Sequence, residues 1–206
     1  MPSYIDTHCH LYLNTKKDES EIIDNFKDSW WKYMICIWVD IESSKKAIIL
    51  ANKYDFIYAT IWIHPSDSIK YIWNLENTIS ELEELYLKNK DSVVGIWESW
   101  LDYFHTDLND LETVDNQKEF FKAHISLANK YDLPVIIHNR DSKDDVFKVI
   151  KETNLKNFIL HCYSENIEYA NKLIEHSSDC LISFSWIVTF NSAKTIQETA
   201  KSIPLK

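Results

Sequence analysis

Seven apolar runs rich in β-branched residues punctuate the chain, at residues 4–7, 33–39, 56–63, 92–97, 133–138, 157–161 and 180–184. Most are near-continuous rather than alternating, the pattern of strands covered on both faces in a parallel sheet. Between them lie segments with apolar residues at helical spacing, at 43–54, 78–90, 116–130 and 141–151. Ser43, Asn77 and Asp141 stand near the starts of these segments and are short polar side chains able to accept a hydrogen bond from a first helical turn. Strand and helix alternating at roughly thirty residues per unit predicts an α/β fold of the TIM-type (β/α) barrel, with a doubly wound open sheet as the competitor. Seven of the eight barrel strands are visible. No glycine-rich phosphate loop follows the first run, which weighs against a dinucleotide-binding sheet. The span 1–206 reads as a single domain.

Ionisable residues recur where these runs end. They are His8 and His10 after the first, His64 after the third, Glu98 after the fourth, His138 and Arg140 after the fifth, and His161 after the sixth. Barrel active sites are assembled at the C-terminal ends of the strands. Residues i and i+2 of a strand share a face, so His8 and His10 project their imidazoles together, as two ligands of one ion would. With His64 set aside, four imidazoles and one carboxylate form a nitrogen and oxygen donor set without thiolate. That suits zinc, manganese or a related divalent ion, with magnesium less suited to the histidine-rich part. The two oxygens of Glu98 could bridge a pair of ions, and such a pair would activate water and clamp the attacked and leaving oxygens. Cys9 lies between the two histidines and points to the opposite face. His124 and His176 fall in helical segments with no role in the pattern, and His105 follows Tyr103 and Phe104 in a loop, where a rim role is open but nothing in the pattern supports it.

Net charge −10 argues against generic attraction to nucleic acid, although bound cations can invert the local field of an acidic protein. No apolar stretch approaches membrane-spanning length and no basic-then-apolar leader opens the chain, so the expectation is a cytoplasmic protein without a membrane or obligate protein partner. Its four cysteines are widely spaced and are expected as reduced thiols. Glycine is scarce: average usage near 7% would give roughly 14 in this length. The chain has one, Gly95, beside eight tryptophans.

Taken in order, IDTHCH, IHPSD, ESWLDYF, LPVIIHNRD, LHCYSEN and ISFSWIVTF resemble the successive motifs of the TatD family of metal-dependent deoxyribonucleases, within the amidohydrolase-like barrels. The resemblance implies a hydrolase with two divalent metal ions (Zn, Mn or Mg) that cleaves phosphodiester bonds in DNA, in the 3′-5′ exodeoxyribonuclease manner. It implies His8 and His10 as first-strand metal ligands, Glu98 as the shared, catalytic carboxylate, and His138 and His161 as ligands of the second ion. His64 matches an active-site histidine that meets the substrate, and Arg140 a phosphate contact. The alternatives are a related metallohydrolase acting on C–N or ester bonds, or an inactive fragment.

Two departures from the family pattern carry expectations of their own. Its last aspartate ligand, in an eighth-strand motif, has no counterpart before Lys206, so the chain reads as C-terminally truncated, short of a typical barrel by about 50 residues. Trp38, Trp62, Trp97, Trp100 and Trp186 stand where the family has glycine, with Trp30 and Trp73 at turn positions that suit it. UGA is read as glycine in some bacteria and as tryptophan in others, so translation with the wrong code is expected to have produced the exchange.

Overall fold

The computed structural model describes residues 4–11, 18–37, 39–63 and 71–204. Seven strands form one sheet in the order β1-β2-β3-β4-β5-β6-β7: Tyr4–Cys9, Trp31–Cys36, Ile57–Ile61, Val93–Asp102, Val135–Arg140, Phe158–His161 and Leu181–Ile182. Every neighbouring pair is parallel. The sheet is a half-barrel in which β1 and β7 are the two edges. β4 runs five residues beyond the predicted end, so Glu98 lies inside the strand rather than after it; β7 is only two residues long.

The helices among the described residues are α1 (Glu19–Lys27), α2 (Ile41–Lys53), α3 (Leu75–Lys88), α4 (Leu111–Tyr131), α5 (Lys143–Glu152), α6 (Ile167–His176) and α7 (Lys194–Ser202). They form because apolar residues at helical spacing bury one face against the sheet: Val114, Phe121, Ile125 and Ala128 of α4, and Val146, Val149 and Ile150 of α5. The main core lies in this helix–sheet layer, around Ile61, Ile96, Ile137 and Leu160. A smaller cluster of Ile37, Trp97 and Ile136 fills the opposite face of the sheet.

The predicted caps are displaced by a few residues. Asp40, not Ser43, caps α2; its carboxylate accepts from the Ser43 N–H at 2.7 Å, and the Ser43 hydroxyl accepts from the Asp40 N–H at 3.0 Å. Asn77 sits within the first turn of α3, and Asp141 precedes the N-cap of α5, Ser142. Asp110 and Asn166 cap α4 and α6 by accepting from Thr113 and Tyr169.

The scarcity of glycine is met by other residues. Left-handed backbone falls at Asp132 (φ 55°), Asp141 (56°), Asn154 (51°) and Cys162 (49°), and Asp and Asn tolerate that region best after glycine. Asp132 and Asn154 stand where helices α4 and α5 stop, the place glycine usually takes. Among the described residues no tryptophan has positive φ: Trp73 lies in a 3-10 turn, so neither it nor Trp30 is a turn that requires glycine. Gly95 itself is needed for space, since a Cβ there would stand 3.1 Å from the Pro134 carbonyl oxygen on the approach to β5.

Candidate metal centre

Four histidines and one carboxylate from four strands meet at the C-terminal end of the sheet. His8 and His10 come from the end of β1, Glu98 from β4, His138 from β5 and His161 from β6. Parallel register does the gathering, because His138 and His161 are direct partners across β5 and β6. His8 Nε2 and His10 Nε2 stand 3.2 Å apart, and the His8 ring stacks on that of His161 with centroids 4.6 Å apart. Glu98 Oε1 lies 2.9 Å from His138 Nδ1, and the His138 and His161 rings are 6.4 Å apart.

The protonation states suit cation binding. Burial and the neighbouring His161 lower the His8 pKa to about 4, and burial lowers that of His161, so both are neutral and carry a free nitrogen lone pair. Burial pushes the Glu98 carboxyl up, but the hydrogen bond with His138, together with the charge the neighbouring imidazoles take on in acid, outweighs it and holds its pKa below the ordinary value. The hydrogen bond to Cys36, with burial, raises the Cys9 thiol; its Sγ turns towards β2, donating to the Ile35 carbonyl at 3.3 Å, and takes no part in the cluster.

Two imidazole nitrogens each about 2.0–2.1 Å from one tetrahedral ion would stand about 3.3 Å apart, close to the His8–His10 separation. His8 Nδ1 and His10 Nδ1, the nitrogens away from this spacing, are buried without a hydrogen-bond partner among the described residues. In donor chemistry and pairwise spacing the residues fit a divalent ion. The donors are nevertheless gathered in pairs: among the described residues no three such side chains surround a single point. The Trp97 indole packs 5.1 Å from the His8 ring and 4.9 Å from that of His161, with its own Nε1 buried and without a hydrogen-bond partner among the described residues.

Of the remaining sequence candidates, Arg140 is exposed at the end of β5, with its guanidinium over the Phe104 ring. His64 lies outside the described residues, as does Trp38. His124 packs within the helix–sheet layer, where its Nδ1 is 2.9 Å from the Ser99 hydroxyl. Two features were not singled out from sequence. Cys162 Sγ lies 3.0 Å from His161 Nε2, and Asp102 is linked to His105 at the end of β4. The i, i+3 spacing of Asp102 and His105 was the one signal that could have revealed the second.

With this geometry in hand, comparison with known proteins is informative. Residues 5–206 match the family described as TatD related DNase. The uncharacterized metal-dependent hydrolase YabD of Bacillus subtilis is 35% identical over 202 residues, covering 97% of this chain and 75% of that protein. The uncharacterized metal-dependent hydrolase MG009 of Mycoplasma genitalium is 34% identical over 209 residues, covering 98% and 76%. Among solved structures, the TatD homolog YJJV from Escherichia coli superimposes with a TM-score of 0.82 at 22% identity, covering 98% of this chain and 75% of its own. A TatD family hydrolase from Entamoeba histolytica gives 0.79 at 24% identity, with 98% and 70% covered. At these identities the solved structures speak to the fold alone.

Proposed function

The chain belongs to the TatD related DNase family and is a metal-dependent hydrolase, and from that premise we propose that it cleaves phosphodiester bonds of DNA from the 3′ end, using two divalent ions. The observation that carries this reading is the meeting of His8, His10, Glu98, His138 and His161 at one end of the sheet. His8 and His10 would hold one ion, His138 and His161 the second, and Glu98 would reach both. When bound, such ions supply Lewis acidity that brings the pKa of water towards neutrality and offsets charge on the phosphoryl oxygens.

The chain's own groups supply the rest. Glu98, ionised at neutral pH, would bring the negative charge that both ions need, and its contact with His138 fixes its orientation. His8 and His161, neutral at that pH, add no positive charge that would compete with the ions. Arg140, at the end of β5, offers planar donors to a phosphate, and His64 is assigned to the substrate side on its motif. The reading treats 1–206 as a single hydrolase domain. DNA is preferred to C–N or ester substrates because Glu98 stands on β4 where a carbamylated lysine would otherwise be needed.

The same reading takes Trp97 as a glycine position. Removing the indole would free volume beside the stacked His8 and His161 rings, room for the donors to turn inward. Peptide mass spectrometry of the native protein across residues 97–100 decides it: glycine masses are expected, and tryptophan at 97 would refute the recoding.

Glu98→Ala is the test of the metal assignment. Metal content and cleavage of a 3′-end-labelled oligonucleotide should both fall to background, by more than roughly 100-fold, since loss even of a supporting partner costs 10–100-fold. Full metal content with full nuclease activity would sink the two-ion reading.

A further inference from the structure

Beyond the imidazole cluster, β4 and β5 run on, and their ends carry a second group of side chains. Asp102 and Arg140 are register partners across these two strands. The Asp102 carboxylate is almost buried, and its Oδ1 accepts from the backbone N–H groups of Phe104 at 3.0 Å and His105 at 3.2 Å. Its Oδ2 lies 2.6 Å from His105 Nδ1. An ionised carboxylate only accepts, so the imidazole keeps its proton on Nδ1 and leaves Nε2 free. The His105 side chain is 62% exposed.

The turn that Asp102 fixes also presents an aromatic ring. Phe104 is 59% exposed, with the Arg140 guanidinium 4.1 Å from its centroid and the His105 ring edge-on at 4.9 Å. In a chain of net charge −10, Arg140 has no carboxylate partner among the described residues and lies over this ring instead. An open aromatic face beside a guanidinium and an imidazole is the combination that single-stranded nucleic acids use, base on ring and phosphate on cation.

We propose that this rim is a nucleotide subsite next to the scissile bond, taking one nucleobase on Phe104 and its phosphate on Arg140. The inference rests on the phosphodiester reading above. Arg140 follows His138 by two residues on the same strand face, a rise of roughly 7 Å, so an oligomer with one diester at the imidazole cluster brings a neighbouring nucleotide to the rim. Asp102 is a positioning residue here: it holds Phe104 and His105 and touches no substrate.

The test is binding of two fluorescent octamers to the metal-loaded protein, read by anisotropy. One is a phosphorothioate thymidine octamer and the other has the same backbone with abasic sugars. The wild type should prefer the thymidine octamer by roughly 5- to 150-fold, the range of one base–aromatic stack. Phe104→Ala should erase that preference, Phe104→Trp should keep it, and Arg140→Ala should weaken both octamers alike. Full thymidine preference in Phe104→Ala, or none in the wild type, would overturn the subsite. Hydrolysis of bis(4-nitrophenyl) phosphate, a diester without a base, is measured alongside. If the wild type cleaves it while base preference is absent, only the subsite fails; if it cleaves neither this diester nor unmodified DNA, the underlying phosphodiester reading fails.

Discussion

Strands β1 and β5 are both six residues long, and each brings a histidine to the candidate metal centre, yet their apolar residues meet different surroundings. Val135, Ile136 and Ile137 at the start of β5 are at most 4% exposed, whereas Tyr4 and Ile5 at the start of β1 are 48% and 51% exposed. β5 lies between β4 and β6 and under α4 and α5; β1 has β2 alone. Trp31 and Tyr33 of β2 share this exposure, and Tyr4 packs its ring on that of Trp31. An apolar run therefore specifies a strand without specifying how much of it is covered. The centre straddles this difference: Glu98, His138 and His161 stand on the covered part of the sheet, His8 and His10 on its edge. The β4–β6 donors are held by paired backbone on both sides, while the β1 pair rests on a strand with one row of N–H and C=O groups facing away from the sheet.

The largest effect that would sharpen this contrast is a paired substitution. Ile137→Ala should cost about 2–5 kcal/mol in urea unfolding, because Ile137 is fully buried and its removal leaves a cavity. Ile5→Lys should change stability by less than about 0.5 kcal/mol while reducing self-association at the β1 edge, seen by light scattering. Equal costs at the two sites would break the comparison.

Next comes acid sensitivity lodged in the covered half. His124 is 2% exposed, and burial lowers its pKa to about 4, against about 6.5 in the unfolded chain. Between those values the unfolded chain binds the extra proton, so this stability is complete above pH 6.5 and is lost as pH falls towards 4, by roughly 3 kcal/mol. His124→Gln should flatten the stability–pH curve over that window. An unchanged slope in urea midpoints from pH 7 to 4.5 would remove His124 from the account.

The smallest expected effect is at the rim. Arg140→Ala should raise KM for an oligonucleotide by roughly tenfold while metal content stays at the wild-type level, since a phosphate contact does not hold the ions. Loss of metal in this variant would place Arg140 in the centre itself.

Much of the fold was legible because it depends on local spacing. The seven apolar runs became seven strands, and helices formed at all four of the marked intervening segments, with ends shifted by several residues because capping is decided by which nearby side chain reaches the free N–H groups. Asp40 and Ser142, rather than Ser43 and Asp141, occupy those positions. The short helices α1 and α7 were not marked and α6 only through His176, and Leu181–Ile182 fell short of its predicted strand as an edge with one partner. Phe104 and His105 were read as a loop with no supported role, because a carboxylate reaching forward over three residues, as Asp102 does, leaves no trace in hydrophobic periodicity.

For the candidate centre, sequence determined the donors and the face they share: His-x-His on one strand end, and an ionisable residue at the ends of three others, follow from side-chain alternation and strand order alone. Their mutual distances came only from the tertiary structure. The register of β5 on β6 sets His138 beside His161, and the sheet's curvature brings His8 from the far edge onto the His161 ring. The Trp97 indole stands beside both rings, and among the described residues the donors are gathered in pairs. Sequence fixes which atoms can ligate, because that is covalent chemistry; whether they surround one point depends on packing volumes summed over strands far apart in the chain.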